Sequence, residues 1–109
     1  MPYIVKDFPN QTVSTSGPNA ASSGISLLDD CTAYAIFAPA TTTTGLIVQV
    51  EPSATGTSWV DLKSAAVNVI VPTSGCTIIN PGGFRQLRVI TTSTEASPRT
   101  INITGQVSV

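Results

Sequence analysis

The chain has 109 residues, enough for one domain with a thin hydrophobic core. Hydrophobic residues make up 41% of it, which excludes a disordered polar chain, and charged residues only 10%, against about 25% in an ordinary soluble protein. The net charge of −1 removes the basic footprint of a nucleic-acid binder, and no apolar run is as long as a membrane-spanning helix.

The chain opens with "MPYIVKDFPN", where Lys6 and Asp7 interrupt what a secretory signal would keep apolar, so synthesis in a cytoplasm is expected. Pro2, Pro9 and Pro18 punctuate the first 24 residues, and hydrophobic alternation there is weak. Residues 1–24 therefore read as an extended N-terminal arm and a loop, ahead of a folded domain over 25–109. Proline belongs at a sheet edge or off the sheet. Two placements stay open: the arm adds to a neighbour's open edge, or it folds back along its own domain.

From residue 31 onward the period is two. "CTAYAIF" sets Cys31, Ala33, Ala35 and Phe37 against Thr32, Tyr34 and Ile36. "GLIVQVE" sets Leu46, Val48 and Val50 against Ile47, Gln49 and Glu51. "AVNVIV" alternates Val67, Val69 and Val71 with Asn68 and Ile70, and "FRQLRVI" sets Leu87 and Val89 against Gln86, Arg88 and Ile90. "TINITGQVSV" puts Ile101, Ile103, Gly105, Val107 and Val109 on one face. Such runs, bounded by Gly, Pro, Ser, Thr and Asn clusters, are strands. With short strands near Val13 and Ile25 they make seven or eight. The expected fold is all-β, an antiparallel β-sandwich of jelly-roll or Ig-like type.

Catalytic chemistry has little to work with. The chain has no histidine, which excludes Ser-His-Asp and Cys-His catalysis and histidine-held metals. Cys31 and Cys76 are its two cysteines, too few for a structural zinc site, and both are expected to be buried free thiols. The carboxylates worth weighing are Asp29, Asp30, Glu51 and Asp61. Asp29 and Asp30 are adjacent and read as a turn, which leaves Glu51 and Asp61 as a bare candidate for paired-carboxylate work. Neither cofactor nor metal is expected, and the chain reads as a non-enzyme. Of Arg85 and Arg88, one is expected to be solvated and the other to pair with Asp61 or Glu51.

Trp59 is the chain's one tryptophan. A ring just after a turn closes one end of a sandwich, with Leu62 beside it, and this anchoring role is the expectation for both residues. The competing role is stacking on a sugar, which needs an exposed ring.

The stretch "VEPSATGTSWVDL", with Val50, Ser53, Gly56, Thr57, Trp59, Asp61 and Leu62, followed by Leu87, Arg88 and Val89, is similar to a pattern in small structural proteins of tailed bacteriophages. The closing "INITGQVSV" resembles the last strand of such domains, so the resemblance spans residues 45–109. Where the pattern has Asp before the turn glycine this chain has Thr55, so no role of that Asp carries over. The resemblance implies a non-catalytic virion protein, of which a capsid decoration (cement) protein fits best. It would be a homo-oligomer that binds across major-capsid subunits on the capsid surface. The alternative is a tail or baseplate module that binds a host receptor or glycan. Tyr3, Ile4, Val5 and Phe8, apolar and outside the clear sandwich strands, are the expected capsid or inter-subunit contacts.

Overall fold

Ten consecutive residues of strict alternation, Arg99–Ser108, make the longest strand of the molecule, and the rest of one sheet is built on it. The structure, a computed structural model, describes residues 3–8, 11–13, 21–22, 24–26, 31–39, 44–52, 58–80, 84–93, 95 and 97–108. In chain order the strands are β1 (Tyr3–Asp7), β2 (Gln11–Val13), β3 (Ile25–Ser26), β4 (Cys31–Phe37), β5 (Leu46–Glu51) and β6 (Val60–Asp61). They continue as β7 (Lys63–Ser64), β8 (Val67–Asn68), β9 (Ile70–Val71), β10 (Cys76–Ile79), β11 (Gln86–Thr91) and β12 (Arg99–Ser108).

The first sheet has the order β1-β12-β4-β10, with β2 also on β12. The second has the order β3-β11-β5-β6, with β9 also on β5. The paired strands are antiparallel. The chain passes from one sheet to the other at almost every turn, which is the jelly-roll way of closing a sandwich. Taking β1 with β2, and β6 to β9 together, as single positions gives eight, so the expected fold class holds. The turn expected at Asp29–Asp30 lies outside the described residues.

Between the sheets lie Tyr34, Ile36, Ile101, Ile103 and Ile79 from one side and Leu46, Val48, Val50, Leu87, Val89 and Val71 from the other. The alternating positions of β5, β11 and β12 expected to face inward do so. On β4 the register shifts between Gln106 and Val107 of β12, so that Val107 pairs with Cys31 and Gln106 with Ala33. Thr32 is the extra residue of this bulge, which is why Cys31 and Tyr34 are both buried although an odd number of positions separates them. Cys76 lies exposed on the edge strand β10, so the expectation of two buried thiols is corrected: both are free, but only Cys31 is buried. Cys76 pairs with Phe37 on the outer side of the sheet, and alternation in a four-residue strand does not say which face is outer.

The first residues run along β12. Tyr3 pairs with Ser108 and Asp7 with Thr104, and then Gln11 with Ile101 and Val13 with Arg99. Of the two placements open from sequence, the described part of this segment takes the second. The register advances by one residue between the two pairings. Beyond the sandwich, Ala65 and Ala66 both have positive φ (52° and 66°) and turn β7 into β8. That is the backbone of a tight I′ hairpin built without the usual Asn or Gly.

Candidate interaction surface

Two outward faces gather the residues singled out in the sequence. The first belongs to β11, β5 and β6. Register places Gln86 opposite Glu51, Arg88 opposite Gln49, and Gln49 opposite Asp61, so these side chains share one face. Asp61 Oδ1 accepts from Gln49 Nε2 at 2.9 Å, and Gln49 Oε1 accepts from Arg88 Nε at 2.8 Å. The Arg88 guanidinium carbon lies 4.4 Å from the centroid of the Trp59 ring, a cation–π distance. Burial pushes the Arg88 guanidinium below its usual value. Arg85 is exposed, and its backbone N–H donates to the Glu51 carbonyl at 2.8 Å.

Glu51 is fully buried, which its polar-face position in the alternation did not suggest. Its Oε2 accepts from the backbone N–H of Ser58, two residues ahead of β6. Glu51 and Asp61 thus share a face, and each carboxylate accepts a hydrogen bond of its own, from Ser58 and from Gln49. Trp59 is half-buried on this outer face. A Cβ built on Gly24 would stand 2.8 Å from its ring, so the glycine is a close backbone approach to the indole. Leu62 packs from the side against the core. The arrangement locks side chains to one another across three strands.

The second face is the outside of β1-β12-β4-β10. Three cross-strand rows form it: Val5, Gln106 and Ala33; Asp7, Thr104, Ala35 and Ile78; Asn102, Phe37 and Cys76. Val5 is 59% exposed, Ile78 70% and Phe37 40%. Within these rows the one charge is Asp7, at the β1 edge. The two alanines of β4 leave a trough between the bulkier flanks, a cavity of about 210 Å³ lined by Val5, Ala33, Ala35, Ile78, Thr104 and Gln106.

Of the expected contact residues, only Val5 is seen in this trough. Ile4, one residue along a strand, points to the opposite side and is also exposed, and for Tyr3 the structure describes the backbone position only. Phe8 is committed inward, its ring 5.7 Å from that of Tyr34 at 47°. Sequence reasoning missed Phe37 and Ile78 as surface residues. A signal was present: β4 is apolar on both alternating faces, whereas a solvated outer face of an antiparallel sheet alternates apolar with polar.

Among the described residues no group of three or more Cys, Asp or Glu stands together to hold a metal ion, and no helix is long and apolar enough to cross a membrane. No family model matches the sequence, and no curated protein matches it. One solved structure, described as "Bacillus endospore appendages form a novel family of disulfide-linked pili", aligns with a TM-score of 0.47 and 14% identity. The match covers 98% of this chain and 88% of that chain. A likeness of this degree carries no argument about function.

Proposed function

We propose that the chain is a non-catalytic structural protein that packs the outer face of β1-β12-β4-β10 against other protein, and that it serves as a capsid decoration protein of a tailed phage. The observation that carries the proposal is that face: apolar, almost without charge, and hollowed over Ala33 and Ala35. Its finer part rests on the resemblance over residues 45–109. The partner suited to such a face is a flat, uncharged, partly apolar surface of assembled major-capsid subunits, since a charged one would be desolvated here without compensation.

The scale of the face fits a protein that works in many copies. Four strands spaced about 4.8 Å apart and about five residues of 3.4 Å each give roughly 300 Å². That is under half of the roughly 800 Å² per partner of a standard stable interface. A second contact, to another capsid subunit or another copy, completes the binding. Because such a protein binds the assembled shell and not the dissociated subunits, it stabilises the shell by about 2.7 kcal/mol for each site at a free concentration of 100 Kd.

The test is the number of copies per purified particle, measured by quantitative mass spectrometry against the major capsid protein. A number comparable to the capsid protein's supports decoration. A handful of copies moves the chain to the tail or baseplate, and absence from particles ends the virion proposal.

A further inference from the structure

We propose that β1 is an exchangeable strand: Tyr3–Asp7, with Phe8, leaves β12 of its own chain and takes the same place on β12 of a second copy. The seat is already in view. The register from Tyr3 opposite Ser108 to Asp7 opposite Thr104 is satisfied equally well by the same segment arriving from another molecule. Phe8 supplies the side-chain specificity. Its ring lies against Tyr34 and over Gly105, where a Cβ would approach Phe8 Cε2 to 2.9 Å, so the absent side chain forms the notch that receives the ring. The Phe8 N–H donates to the Ile103 carbonyl at 3.1 Å and closes the segment onto β12.

Three features make this strand the one that moves. It lies at the end of the sheet order, so β12 is its single strand partner among the described residues. Ile4 and Val5, which point to opposite sides, are 58% and 59% exposed, so each side of β1 leaves an apolar side chain in the open. The one-residue change of register between β1 and β2 makes them separate pairing units on β12. In the exchanged form every β1–β12 bond is kept, while two molecular bodies come side by side and can cover Ile4 and Val5. With a net charge of −1 the copies repel one another weakly. The opposing term is effective concentration, about millimolar for a short tether, so the strand stays at home in dilute solution and exchanges when copies are concentrated or arrayed.

The experiment uses two full-length chains, both with Cys76→Ser, one carrying Val5→Cys and the other Gln106→Cys, residues that face one another in the register. Mixed in equal amounts and oxidised gently, they form a Val5→Cys to Gln106→Cys disulfide between chains only if β1 of one lies on β12 of the other. The expected result is a heterodimer whose yield rises at least tenfold from micromolar to millimolar protein and dominates over both homodimers. A statistical mixture of the three dimers, or no cross-link at any concentration, overturns the proposal. A third chain carrying both cysteines reports pairing within one molecule. If it too fails to cross-link, β1 does not occupy β12 and the proposal falls at its premise. The test needs no capsid, so its failure and that of the decoration proposal are distinguishable.

Discussion

Replacing Gly105 with Ala tests the packing that holds the first strand. Gly105 is an ordinary strand residue of β12, so the added methyl meets no backbone penalty, only neighbours. Its Cβ would lie 2.7 Å from Cys31 Sγ, 2.9 Å from Phe8 Cε2 and 3.5 Å from Tyr34 Cε1. The first two distances are shorter than any real contact. Cys31 is buried and boxed in by the bulge, so the half-buried Phe8 ring has to give way. Overpacking of this kind costs about 1–3 kcal/mol, and the gain from removing a strand glycine offsets about 0.5–1 kcal/mol. The net loss is roughly 1–2 kcal/mol. In urea unfolding, with a slope of about 1–3 kcal/mol/M, the midpoint falls by roughly 0.5–1 M. The decisive assay is a double-mutant cycle with Phe8→Ala: once the ring is gone the methyl has room, and Gly105→Ala then costs at least about 1 kcal/mol less. If Gly105→Ala is neutral alone, or if the two costs simply add, Phe8 does not sit over Gly105 and the account of β1 is wrong.

Three further outcomes follow from contacts described above or beside them. Glu95 is buried and accepts from Arg99 Nε at 3.0 Å, so Glu95→Gln removes the charge from an ion pair at the start of β12. The expected loss is roughly 1–3 kcal/mol, seen as a thermal midpoint lower by at least about 4 °C. Arg88→Ala uncovers the Trp59 ring, so acrylamide quenching of its fluorescence increases while stability falls by only about 0.5–1 kcal/mol; unchanged quenching would mean that the guanidinium does not shield the indole. A thiol reagent labels Cys76 in the native protein, and Cys31 only after unfolding, because one is exposed and the other buried beside Gly105.

The strands with both ends in the sandwich were the legible part. In β5, β11 and β12 alternation names the side chains that line the core, Leu46, Val48, Val50, Leu87, Val89, Ile101 and Ile103, and misses Glu51 and Ile90, which are buried on the other face. In β4 it does not, because the extra residue at Thr32 changes the phase partway along the strand. The role of β1 was hidden for a different reason. An edge strand is held by backbone bonds, which leave no pattern in side chains, and its two exposed apolar residues look from sequence like those of a free arm. Glu51 is a third case. Its carboxylate is met by the backbone N–H of Ser58, ahead of the next strand, and only tertiary structure brings that donor to it. The apolar outer face of β1-β12-β4-β10 was half-legible, through the doubly apolar β4, while the contribution of Ile78 depended on knowing that β10 lies beside β4.

β12 also makes the fold a check on its own completeness. The last strand in the chain order is the shared partner of β1, β2 and β4, so the first sheet has no middle until residues 99–108 have been translated. A product that stops short of them keeps β4 with β10 but leaves the whole N-terminal segment without its strand partner. Ribosomes add about 5–20 residues per second, so β1 waits for several seconds after synthesis before its own partner exists. Chains that stop short of residue 99 therefore carry an open sheet, in which β4 exposes the edge that β12 would cover.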